Sequence, residues 1–310
     1  MKTTLPSPPP SPPPLPTPRS PLALPSPHTP PLYPLPHSTI PPPPPFRPPP
    51  LPIPSATPAT PSATPAHSTP APMQLRSAAR TDIGKVRSRN EDRLLCDDRL
   101  RLYGVADGIG GLPGGADAAQ LAIELVQTGI RNLRKPGQLA DIVREINTAV
   151  AALGRRVSPR QGIGTTLIFG VFRDRRLDLA HVGDSRCYCL RDGRLACLTT
   201  DHSVENEARA KASQGLPCWY NPAQRHALTR CIGQAASLEV DTLRHGLRDG
   251  DRYLFCSDGI TRLIDEAELA PRLAAAAAPA EITRDLVTLA SHRGGLDNAT
   301  AVLVCVDKAE

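Results

Sequence analysis

The sequence predicts an α+β fold in which antiparallel sheets face one another and helices lie outside. Three observations carry this. Segments with strand and helix character follow the order strands, two helices, many strands, two helices, strand, which suits a sheet-on-sheet core with helical covers. A break in composition near residue 73 leaves about 240 residues downstream, enough for one large core. Several apolar, β-prone runs end in an Asp beside a small or turn-forming residue, marking strands that stop abruptly at one edge.

In chain order, "RLLCDD" and "RLYGVAD" read as a hairpin turning at 97–99. After the glycine-rich "DGIGGLPGG", apolar residues recur every three or four positions over 116–133, which predicts a helix. A second helix is predicted over 138–153. "TTLIFGVFRD", "RLDLAHVGD" and "SRCYCLRDG" read as a three-stranded meander, with the turn "RDG" at 191–193. "DRYLFCSDG" at 251–259 reads as a buried strand running into a turn. Helices are predicted at 266–275 and 279–292, and "NATAVLVCVD" at 298–307 closes the domain as a strand.

Residues 1–72 hold 31 of the 38 prolines and no Asp or Glu. Proline fixes φ and removes a donor, so this tail is expected to be disordered with polyproline II character. The two readings offered for it are an upstream extension before a natural start at Met73 and a ligand for proline-binding modules. Lys2, Arg19 and Arg47 supply three of the six net positive charges, so the domain is only mildly basic and charge gives no case for nucleic acid. No apolar run approaches the roughly 18 residues of a membrane span. No apolar core follows Lys2, so no secretory signal is read. The eight Cys form no CxxC pair and read as small buried hydrophobes of a reducing compartment.

Four acidic motifs remain: N-E-D at 90–92, A-D-G at 106–108, S-D-G at 257–259 and L-D-N at 296–298. A charged Asp is almost never fully buried unless paired or bound to metal. Several converging at strand ends would form an oxygen cage for a hard divalent cation. A metal-dependent hydrolase is the first expectation.

The domain resembles the metal-dependent protein phosphatases of the 2C type in their compact bacterial form. The resemblance rests on "TDIGKVRSRNED", "YGVADGIGG", "GIGTTLIFGVF", "LDLAHVGDSRCYCLRDG", "LTTDHS", "ALTRCIGQ", "YLFCSDGIT" and "GGLDNATAVLV", in that order. It implies a four-layer α/β/β/α sandwich with two central, mostly antiparallel sheets. It implies hydrolysis of phosphoserine and phosphothreonine by a water activated between two Mn²⁺ or Mg²⁺ ions. Asp92, Asp107, Asp258 and Asp297 match the metal carboxylates, and Gly108 would offer its carbonyl. Glu91 would hold metal-bound water, Asp184 would help bind a third ion, and Arg87 would grip the substrate phosphate. Where some relatives carry a His as general acid, this chain has Ile109 or Leu112. The leaving-group proton is therefore expected from water on the third ion held by Asp184.

Residues 203–227 match the family's flap. Trp219 and Tyr220 at its centre either cover a bound phosphopeptide or pin the flap to the sandwich. His181 and His202 read as packing or hydrogen-bonding groups. The glycines at 108, 110, 111, 114 and 115 serve backbone passage near the metals, since no Lys-Ser/Thr follows to make a nucleotide loop. The expected partners are Ser/Thr-phosphorylated proteins and an opposing Ser/Thr kinase, for a cytoplasmic monomer that binds neither nucleic acid nor membrane. A small-molecule phosphate-ester hydrolase and a non-catalytic binding module on the same scaffold are the alternatives.

Overall fold

The computed structural model describes residues 73–110, 113–133, 138–234 and 237–309. The proline-rich tail, with both readings of it, and the Gly111 and Leu112 positions lie outside the described residues. Two five-stranded sheets stack face to face. One has the order β1 (Gln74–Asp82), β10 (Ala299–Lys308), β9 (Arg252–Cys256), β6 (Arg186–Arg191), β7 (Arg194–Cys197). The other runs β2 (Asp92–Asp97), β3 (Leu102–Asp107), β4 (Leu167–Arg173), β5 (Arg176–Val182), β8 (Asp241–Gly246). Every paired neighbour is antiparallel.

Helices α1 (Gly115–Arg131) and α2 (Leu139–Val157) cover the outer face of the second sheet, where Ala122, Val126, Ile146 and Val150 pack on Leu167 and Phe169. Helices α5 (Glu266–Ala274) and α6 (Pro279–His292) cover the first sheet, through Leu269, Leu273 and Leu286 against Leu254 and Leu303. Between the sheets lie Tyr103, Phe172, Tyr253, Phe255 and Val304, with Met73 sealing one margin. The aromatic rings meet edge to face, Phe172 lying 5.5 Å from Tyr103 and 5.3 Å from Tyr253. Alternation explains the division: on β5, Leu177 and Leu179 face the partner sheet while Ala180 and Val182 face the helices. This is the four-layer sandwich.

The hairpin, the four long helices and the final strand stand where the sequence put them, although the hairpin turn falls at 98–101, between Asp97 and Leu102. The three-stranded meander does not form. β4 and β5 pair, but β6 joins the opposite sheet between β9 and β7. The chain crosses at 183–185, and Gly183 takes φ +114°, a conformation other residues seldom adopt. That crossing places Asp184 between the sheets' ends. β1, β8 and the flap helix α3 (Val204–Ser213) carry no strong apolar pattern, and the sequence reading passed over them. No helix among the described residues is long and apolar enough to cross a membrane.

Candidate metal centre and active site

The acidic motifs converge at one end of the sandwich. Asp92 opens β2 and Asp107 closes β3, and the register sets them directly opposite. Like charges opposite one another ordinarily weaken a strand pair. Asp184 lies at the crossing after β5, Asp258 follows β9 as the first residue of α4 (Asp258–Thr261), and Asp297 precedes β10. Asp107, Asp184, Asp258 and Asp297 line one cleft of about 370 Å³ together with Arg87 and Gly108. Asp92 sits beneath, 2 % exposed.

Small polar side chains hold this arrangement. Asp92 Oδ2 accepts hydrogen bonds from Ser257 Oγ at 2.8 Å and Thr300 Oγ1 at 2.6 Å, tying β2 to the ends of β9 and β10. Ser257 Oγ in turn accepts from the Thr300 amide at 3.0 Å. Asn298 shapes the loop carrying Arg87 and Glu91: its amide nitrogen donates to the Ile83 and Arg89 carbonyls, and its Oδ1 accepts from the Glu91 amide at 2.8 Å. Thr166 Oγ1 accepts from the Asp107 amide at 3.0 Å.

The carboxylates repel one another in a site poor in solvent. Burial raises the Asp92 carboxyl to about 6, against the opposing hydrogen bonds from Thr300 and Ser257. Burial, and then Asp258, raises Asp184 to about 7. Asp107 is pushed well up by burial and by the charges of Asp92, Asp258, Asp184 and Asp297. Asp258 is raised chiefly by burial, although Arg262 pulls the other way.

The donor set fits a hard divalent cation. Among the described residues Asp92 Oδ1 and Asp258 Oδ1 are buried with no hydrogen-bond partner, and a protein seldom leaves such atoms unmatched. The converging donors are oxygens, the ligands Mg²⁺ and Mn²⁺ take. Gly108 has no room for a side chain: an added Cβ would lie 2.6 Å from the Gly115 carbonyl and 2.8 Å from the Glu91 carbonyl oxygen. Its backbone can therefore reach the cleft.

Arg87 donates to Asp297 Oδ2 at 2.8 Å and lies against Gly110, so its guanidinium stands over the cleft. That hydrogen bond raises its already high pKa. The Glu91 carboxylate is set back beside Gly115 at the start of α1, where the helix dipole favours negative charge. Ile109 lines the cleft and offers no proton.

Two cleft residues escaped the sequence reading. Arg262 forms an ion pair with Asp258 and comes within 4.0 Å of Asp184. The signal was its i+4 spacing from Asp258 on a short helix. His226 reaches the cleft from the flap and is the one imidazole among the described residues lining it. The flap's two ends are zipped together: Val204 N donates to the Ala227 carbonyl and Thr229 N to the His202 carbonyl. Trp219 is 89 % exposed, so it does not pin the flap to the sandwich.

The family model for Protein phosphatase 2C matches residues 85–289. The chain belongs to the protein phosphatase 2C family. It is 30% identical over 235 residues to the serine/threonine phosphatase stp of Listeria innocua, an alignment spanning 73% of this chain and 93% of that one. It is 35% identical over 245 residues to the serine/threonine protein phosphatase PstP of Mycobacterium tuberculosis, spanning 76% of this chain but 45% of the relative. The chain thus matches less than half the length of that relative. The catalytic domain of PstP, solved in complex with two manganese ions, superposes with a TM-score of 0.66 at 34% identity, covering 76% of this chain and all of that one. The Streptococcus agalactiae serine/threonine phosphatase gives 0.67 at 32% identity, covering 75% of this chain and 100% of that chain.

Proposed function

We infer that the chain is a metal-dependent protein serine/threonine phosphatase. One observation carries this reading: five acidic side chains brought to one end of the sandwich, with buried oxygens left unmatched, directly beneath the guanidinium of Arg87. We assign Asp92, Asp107, Asp258, Asp297 and the Gly108 carbonyl to two divalent ions, Mn²⁺ or Mg²⁺, and Asp184 with Asp258 to a third. Such ions, when bound, supply the charge that activates water and offsets the phosphoryl oxygens.

The residues do the rest. Arg87 stands where a phosphomonoester would enter and can grip two of its oxygens once it releases Asp297. Glu91, held through its own amide by Asn298, orients water at the rear of the cleft. Asp184 takes part in returning a proton to the leaving serine or threonine oxygen, and a normal rate on phosphopeptides in Asp184→Asn would remove it from that role. His226 is the alternative donor, because it lines the same cleft. Residues 73–310 form the catalytic domain and 203–227 its flap. The natural counterpart would be a Ser/Thr kinase acting on the same proteins in the cytoplasm, with the phosphatase a monomer.

The test is release of phosphate from a phosphothreonine peptide with Mn²⁺, with Mg²⁺ and with chelator, for wild type and Asp258→Asn. Activity only in wild type and only with an ion is expected. Activity surviving chelation or the substitution contradicts the assignment.

A further inference from the structure

Arg262 stands beside the two carboxylates assigned to a third ion. It ends the single turn of α4, where its amide donates to the Asp258 carbonyl at 2.8 Å, so its side chain returns over Asp258 one turn back. The guanidinium forms an ion pair with Asp258 Oδ2, and the same nitrogen, Nη2, lies 4.0 Å from Asp184 Oδ2. Asp258 Oδ1 is buried with no hydrogen-bond partner among the described residues. The arginine therefore faces one oxygen of each acid and leaves Asp258 Oδ1 unclaimed.

This cation is held differently from arginines elsewhere in the molecule. Arg186 grips Asp201 through Nε at 2.8 Å and Nη2 at 2.6 Å, and Arg191 grips Asp251 in the same two-pronged way at 2.8 and 2.6 Å. Arg262 makes no such paired hydrogen bonds among the described residues, and its side chain is 45 % exposed. Charge holds it in place, so it can withdraw into solvent without stranding a buried donor. A divalent cation seated between Asp184 and Asp258 needs the oxygens that Nη2 now faces. It would also lie within a few ångströms of a fixed positive charge, and the two cations repel.

We propose that Arg262 and the third ion compete for the Asp184–Asp258 pair, which makes Arg262 the residue that sets third-ion affinity in this chain. The proposal rests on the assignment of the acidic cleft to divalent ions. With Arg262 turned inward, a cation belonging to the protein itself offsets the charge of the pair, and Asp258 Oδ1 stays available to the two-ion centre. With Arg262 turned outward, the pair is open. The part given to Asp184 in returning a proton to the leaving group is then tied to the concentration of divalent ion, because Arg262 must first be displaced.

The experiment is a Mn²⁺ titration of the full chain, with bound ions counted by loss of the paramagnetic resonance signal of free Mn²⁺. The proteins are wild type, Arg262→Gln and the double variant Arg262→Gln/Asp184→Asn. Wild type is expected to take up two ions tightly and a third only at higher concentration. Arg262→Gln should keep the two tight ions, which shows that the fold and the main centre are intact, and should bind the third at least about tenfold more tightly. The double variant should lose that gain. Two tight ions with the same third-ion affinity in wild type and Arg262→Gln, or a gain that survives Asp184→Asn, overturns the competition alone. No tight Mn²⁺ in any of the three proteins overturns the assignment of the cleft and the competition with it.

Discussion

Strands β5 and β9 each carry a buried acid at both ends, and the two ends treat it differently. At the start of β5, Asp178 is 3 % exposed and receives Arg173, Arg176 and Arg244. Just before β9, Asp251 is 1 % exposed and accepts from Arg191, from the Arg248 amide and from Tyr253. Past the other ends of the same strands lie Asp184 and Asp258. Among the described residues Arg262 alone forms ion pairs with both, Asp258 Oδ1 has no hydrogen-bond partner, and two more carboxylates crowd in from β2 and β3. The fold is able to neutralise a buried acid with arginine. At the cleft it leaves the carboxyls short of cationic partners, which is what an ion-binding site requires.

Four substitutions or conditions sharpen or break this contrast. The largest effect is expected at Asp107, whose neighbours in the cleft are other acids. Asp107→Asn should lower phosphatase activity by at least about 100-fold, the upper range for losing even an outer partner of a metal, with the ion-free melting temperature unchanged or raised. At the other end the sign reverses: Asp251→Asn should cost about 2–3 kcal/mol in denaturant unfolding, because buried donors lose an ionised acceptor, while turnover by the surviving folded protein stays normal. Ser257→Ala should weaken Mn²⁺ binding by about 10–100-fold in a calorimetric titration, since Ser257 orients Asp92 without facing the ion.

The smallest effect concerns pH. The folded values of about 6 for Asp92 and about 7 for Asp184 lie above the ordinary carboxylate range near 3.8. Between those limits the folded state holds more protons than the unfolded one. The ion-free protein should therefore lose stability, on the order of 1 kcal/mol or more, as pH rises from about 4 to about 7. Bound ions should cancel the loss, and their affinity should fall as pH drops through the same window. An ion-free protein whose stability is flat or rising over that range would break the contrast.

Much of the site was legible because its chemistry is written in residue types. An Asp beside a small residue at the end of an apolar run leaves few uses for its charge, and Asp107, Asp258 and Asp297 line one cleft with Asp92 across the strand pair from Asp107. The supporting groups were not legible. Ser257, Thr300 and Asn298 are common residues whose importance comes from what they touch across the sandwich. The fold shows the same divide. Helices α1, α2 and α6 announce themselves by periodic apolar faces. The β6 crossover is invisible locally, because a strand entering the other sheet has the same composition as one continuing a meander. β8, with three exposed positions alternating around half-buried ones, has too little apolar surface to signal a strand. His181 and Asp241 face each other only because β8 pairs with β5, so no spacing in the sequence could reveal that contact.

The central claim is that the cleft's acids are destabilising without an ion and become stabilising with one. The direct measurement is thermal unfolding of wild type and Asp107→Asn, each with chelator and with saturating Mg²⁺. Mg²⁺ is expected to raise the melting temperature of wild type far more than that of Asp107→Asn, and with chelator the variant should melt at or above wild type. A variant that melts well below wild type with chelator, and gains as much from Mg²⁺, would contradict it.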